Sequence, residues 1–167
     1  MSGSEGAGLA VPPKTTHEWT LWMVAASCAL HPLEEYFTGW QEWALGTLGV
    51  VMPTARFVFF NTALFVAALF AARTGWRRPA LSLVIPAATL VNALFFHILP
   101  TIVQHRVSPG DYTATLLYLP FSSWAFLGAW RDGVPRRALA AGFMAGTLLM
   151  LAVFLGARWA SGLGRVE

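Results

Sequence analysis

Five consecutive residues, His31-Pro32-Leu33-Glu34-Glu35, place an imidazole and two adjacent carboxylates at the end of an apolar run. On a helix His31 and Glu35 stand one turn apart with Glu34 beside them, so the three fall within about 100° of one face. Ionisable groups held at membrane depth are costly there and are commonly functional. Two neighbouring carboxylates in such a setting cannot both stay charged unless something positive sits between them or one keeps a proton.

A divalent metal, zinc or iron, is the simplest such cation. His31 and Glu35 have the spacing of two ligands on one helix, His97 supplies a third from another helix, and Glu34 is left as general base with Asn92 as its partner or as an orienting group. The pattern resembles the inverted zinc-peptidase H-x-x-E-H with its last histidine replaced by glutamate, while two histidines and a carboxylate also suit non-haem iron. His105, Arg106 and Asp111 form a candidate rim. Three other classes stay open. Without a metal, Glu34 or Glu35 could move a proton on a lipophilic substrate, as an isomerase does. An acidic pair could carry a proton or cation across a membrane, although no ionisable residue continues that path inward. Lastly, the polar residues could simply pair with one another, or with Arg56 or Arg106, and hold helices together.

The elements that must position these groups follow from composition. Of 167 residues, 56% are hydrophobic and 11% charged, with 12 Phe and 8 Trp, a balance found in polytopic membrane proteins rather than soluble domains. The net charge of +3 comes from arginines in short loops and lacks the basic, aromatic-interleaved face that nucleic-acid binding needs. Cys28 is the sole cysteine, so an intrachain disulfide is excluded. Residues 1–17 read as a disordered tail and 160–167 as a short C-terminal tail, with one membrane domain over 18–159. A cleavable signal peptide is not expected, because the first apolar run starts at Trp19 and carries His31 and two glutamates.

The expected fold is an all-α polytopic membrane bundle of about five transmembrane helices plus one interfacial or re-entrant helix. The spans run over residues 18–37, 56–72, 80–104, 112–130 and 138–159. Pro32 lies inside the first, and Pro86, Asn92, His97 and Pro100 lie inside the third. The segment GWQEWALGTLGVVMPT at 39–54 is too short to cross and has tryptophans suited to a headgroup boundary, with Glu42 on its wet side. Ser108-Pro109-Gly110-Asp111 reads as a helix start, Ser108 as N-cap, Pro109 at the first helical position and Asp111 completing a capping box. Ala138, Gly142 and Gly146 form a small-residue stripe for close packing, against another span of the same chain or a second copy in a homo-oligomer.

Five spans put Lys14, Arg73, Arg77, Arg78, Arg131, Arg136 and Arg137 on one side and Arg56, Arg106, Arg158 and Arg165 on the other. The richer side is cytoplasmic by the positive-inside rule, giving an N-in, C-out chain. Measured from that side, His31, Asn92 and His97 lie at about 20, 18 and 26 Å along their helices. They share the outer half of the membrane and would line one cavity opening outward, in contact with membrane lipid.

His31-x-x-Glu34-Glu35, followed by Asn92, by His97 five residues later and by Ser108-Pro109-Gly110 in a five-span hydrophobic chain, resembles the HXXEE family of bacterial membrane proteins. The resemblance runs from about Trp19 to Leu155. It implies this architecture, a bacterial cytoplasmic membrane and the importance of these residues, and it leaves the reaction open.

Overall fold

The computed structural model describes residues 17–163. Within them every regular element is helical: α1 (Trp19–Phe37), α2 (Trp40–Leu48), α3 (Thr54–Thr74), α4 (Pro79–Gln104), α5 (residues 111–131) and α6 (Arg136–Leu163). Five long helices and one short one thus stand where the hydropathy placed them. α6 continues through residues 160–163 of the expected C-terminal tail. Residues 1–16 of the expected N-terminal tail, and 164–167, lie outside the described residues.

Among the described residues, three helices are long and apolar enough to cross a membrane: α3 with the turn that follows it, α4 and α6. The remaining long helices, α1 and α5, match a bilayer in length but carry the polar residues of the site and of its surroundings, which lowers their apolarity. Large apolar side chains such as Phe59, Val66, Leu148 and Leu155 point outward around the bundle. A water-facing surface avoids such a belt.

α4 is the central helix. Of its most apolar stretch 56% is buried, against 22% for α3 and 11% for α6, so α4 has protein neighbours where the other two face outward. Small residues make that centre possible. Gly142 and Gly146 of α6 lie so close to α4 that a methyl on Gly142 would stand 2.7 Å from Leu83 Cβ, and one on Gly146 would stand 2.8 Å from the Ala88 backbone nitrogen. The small-residue stripe therefore packs against a helix of the same chain, with Ala138 packed partly buried at the edge of the main core. Between α4 and α5 the buried Thr89 and Ser122 hydroxyls share a hydrogen bond of 2.7 Å.

The two ends of the bundle differ. At one end the start of α1, the α3–α4 turn and the end of α5 are stapled by polar contacts. His17 bonds Asp132 through its backbone N–H and its ring, at 2.9 and 2.7 Å. Asp132 also accepts from the Trp76 indole at 2.9 Å, and Glu18 accepts from the Trp76 backbone. At the other end α2 spans nine residues, about 14 Å, too short to cross a bilayer. Left-handed glycines, Gly39 and Gly49, bracket it. It is tied to α6 where the Arg158 guanidinium donates to the Leu48 carbonyl at 2.8 Å and the Val51 N–H donates to the Ser161 hydroxyl at 2.7 Å.

The close α4–α6 contact sets an asymmetric expectation for α6. Gly146→Ala should destabilise the protein by about 1–3 kcal/mol, because backbone atoms of α4 must move. Gly156→Ala, where nothing lies within 4 Å, should be neutral or slightly stabilising through helix propensity. Thermal unfolding of both variants in detergent checks this, and equal effects would contradict the packing described.

Candidate functional site

His31 and Glu35 project from the same face of α1, as one-turn spacing requires, and both are buried, at 2% and 4% exposure. His97 is wholly buried on α4. It stands in a widened stretch, residues 93–98, where backbone N–H groups reach five residues back instead of four. Pro100 accounts for this widening: its ring crowds the carbonyl four residues earlier, Phe96, inside that stretch. α5 repeats the device, with a wide stretch at 114–118 ahead of Pro120, and this turns Tyr118 onto His31 with ring centroids 4.3 Å apart.

Each imidazole is held by its Nδ1. His97 Nδ1 lies 2.9 Å from the Pro109 carbonyl, which only accepts, so Nδ1 carries the proton. His31 Nδ1 lies 2.8 Å from the Thr113 hydroxyl. That hydroxyl donates to the Gly110 carbonyl at 3.3 Å, so it accepts from His31. In the neutral rings both Nε2 atoms are therefore bare lone pairs. Both face Glu35 Oε1, at 3.4 Å from His31 and 3.5 Å from His97, and both are buried with no hydrogen-bond partner.

Three acceptors facing one another without a proton repel, and at 3.4–3.5 Å they are too far apart for good hydrogen bonds. Ligands about 2.0–2.2 Å from a tetrahedral ion are separated by about 3.3–3.6 Å. The three ligand atoms lie within 4.8 Å of one another. The buried group His31, Glu35 and His97 could thus hold a metal, and the carbonyl and hydroxyl behind the two rings are the partners that orient metal-binding histidines.

The loop between α4 and α5 closes over this group, and its role differs from the capping box expected from Ser108 and Asp111. The Asp111 N–H donates to the Ser108 carbonyl at 3.1 Å, closing a tight turn with Pro109 and Gly110 at its centre. Gly110 precedes the helix at φ +87° without a side-chain cap. Ser108 is buried, and its hydroxyl donates to the His97 carbonyl at 3.1 Å instead of to a helix start. Gly110 is needed twice over. Its φ disfavours any side chain, and a methyl there would stand 2.8 Å from His97 Cε1, 2.9 Å from Glu35 Cγ and 3.1 Å from His31 Cε1.

The cap of α5 comes from another helix. Glu34 accepts from the backbone N–H groups of Tyr112 and Thr113 at 3.2 and 2.7 Å, neutralising the positive end of α5. Both its carboxylate oxygens are engaged outside the triad. Asn92 is half-buried on α4, with its side-chain oxygen enclosed and unpartnered. Asp111, at the loop end of α5, has one buried oxygen without a partner. His105 and Arg106 are exposed beyond the end of α4, and Glu42 is exposed on α2.

Glu35 and Asn92 also border a cavity of about 390 Å³ between α1, α2, α3, α4 and α6, lined mostly by apolar side chains. The triad is thereby joined to a space large enough for a small ligand.

A family model described as a protein of unknown function with an HXXEE motif matches residues 22–125. The chain belongs to the HXXEE family. Nothing among curated proteins or solved structures matches it. In this HXXEE protein the histidine and the second glutamate of the motif face the site, whereas the first glutamate clamps α5. The matched region contains the α4–α5 loop and excludes α6. Thr113 escaped the reading of residue types, since it is no usual ligand, and Gly110 entered it only as part of a helix start and of the Ser108-Pro109-Gly110 motif; the Pro109-Gly110 pair was the available signal for a tight turn.

Gly110→Ala should lower stability by about 1–3 kcal/mol through strained backbone and contact with three site residues. Glu34→Gln, which keeps the shape but loses the charge, should cost about 1–2 kcal/mol. Unfolding midpoints in detergent measure both, and an unchanged Gly110→Ala midpoint would contradict the closed loop.

Proposed function

We propose that this HXXEE protein is a metal-dependent, membrane-embedded enzyme acting on a lipophilic substrate. The observation that carries the reading is the convergence of two bare Nε2 atoms on one Glu35 oxygen at metal-ligand separations, each ring oriented from behind. His31, Glu35 and His97 hold a divalent ion, zinc or iron. Such an ion polarises a bound oxygen or activates water near neutral pH.

The chain's own residues divide the remaining work. Asn92 borders the cavity next to Glu35 and orients the substrate's polar group. Glu34 anchors the start of α5 and so keeps Thr113 behind His31, a positioning role in place of a general base. The Pro109 and Gly110 carbonyls hold the two histidine systems in register, and the α4–α5 loop keeps water from the ligand side. α1 and α5 span the membrane alongside α3, α4 and α6, with the amino terminus inside and the site in the outer half. The triad's end of the bundle has fewer arginines than the stapled end, which supports that orientation.

A proton held by Glu35 would also relieve the repulsion and would leave acid/base chemistry without a metal. Elemental analysis of the detergent-purified protein separates the two. About one equivalent of zinc or iron is expected in the parent, falling to background in His31→Ala, Glu35→Ala and His97→Ala. Folded protein that takes up no metal on reconstitution would sink the metal reading. Removal of the ion by a chelator should also lower the unfolding temperature of the parent and leave that of His97→Ala unmoved.

A further inference from the structure

The cavity beside the triad is selective in its chemistry. Its walls contain one carboxylate, Glu35, which the proposed ion would neutralise, and neither Lys nor Arg, so recognition of a head group falls to neutral polar atoms. Two bordering residues carry unsatisfied, buried polar atoms: the Asn92 side-chain oxygen, an acceptor, and the Trp40 indole nitrogen, a donor. Groups left in that state are costly unless a ligand completes them. A hydroxyl both donates and accepts, and it is the smallest neutral head group that serves both.

The entrance is on the flank of the bundle. α3 and α6 both line the cavity yet barely touch each other. Their lining residues Phe59 and Leu149 are 67% and 40% exposed, so the slot is open between these two helices on the apolar flank.

We infer that the cavity binds an uncharged single-chain lipid bearing a hydroxyl head, a long-chain alcohol in its simplest form, which enters between α3 and α6 and sets its hydroxyl between Trp40 and Asn92 beside Glu35. The inference rests on the proposed site and names its substrate class.

The test is photo-crosslinking of the full chain in detergent with hexadecanol bearing a diazirine on its chain. Labelling should map to α3 and α6 and be displaced by excess hexadecanol but not by hexadecane, which lacks the hydroxyl. Ala63→Trp, or Met150→Trp from the opposite wall, should plug the slot and abolish labelling. Trp40→Phe and Asn92→Leu should each weaken it by about three- to tenfold, the worth of a hydrogen bond. Using two plugs keeps the test decisive if one variant fails to fold. Labelling that survives both folded plugs, or displacement by hexadecane equal to that by hexadecanol, overturns the inference. Metal is measured in the same samples. Labelling that behaves as expected in metal-free parent protein overturns the metal reading alone, and metal retained with labelling indifferent to the plugs overturns the lipid assignment alone.

Discussion

Three electron-rich atoms, two imidazole nitrogens and a carboxylate oxygen, are pressed together in a space from which water is excluded. Left alone they repel, and everything around them keeps them from moving apart. α1 supplies two of them at helical spacing, α4 supplies the third through a widened turn, and the rings are fastened from behind, His97 by the loop between α4 and α5 and His31 by the first turn of α5. Such over-determination is the usual mark of a site whose local arrangement is unfavourable on its own. The bundle resists relaxation because its core is rich in alanine and because Gly142 and Gly146 bring α6 against α4, which leaves little room for adjustment.

Order in the molecule is distributed between two ends with separate duties. The end holding His17, Trp76 and Asp132 is a structural clasp, joining three helices through one buried carboxylate and one indole. The opposite end holds the chemistry and a cavity bordered by the short helix α2. Glu34 belongs to both worlds in a sense: it sits inside the signature motif, yet its contacts are those of a helix cap, made across space where a local serine was expected to make them. A motif can therefore be legible as a unit while its members do unlike things.

Helix positions were legible because long apolar runs have few alternatives, and His31, Glu35 and His97 were legible because charged and imidazole groups stand out in such runs. What could not be read was direction. Glu34 and Glu35 are neighbours in sequence and differ by about 100° around the axis, and only the packing of α5 against α1 decides which one faces the triad. Proline was equally ambiguous. Pro100 and Pro120 follow widened turns, whereas α1 continues as regular helix through Pro32. The same covalent constraint leads to different backbones, depending on neighbours that no local rule names. Ser108 misled for a related reason: its residue type suits a cap, but its hydroxyl found a carbonyl on α4 nearer than any helix start.

The widened turns carry an implication for how this chain tolerates change in length. A turn that reaches five residues back holds one residue more than a regular turn, as if an insertion had been absorbed without disturbing the helix on either side. Losing one residue in 93–98 would restore regular winding and leave the helix beyond it in place, whereas regular winding with every residue kept would swing everything beyond it by about 100° relative to what precedes it. His97 lies inside that stretch, so the extra residue acts as a phase shift that aligns two halves of one helix with two different partners: the core before it, and the loop that closes the site after it.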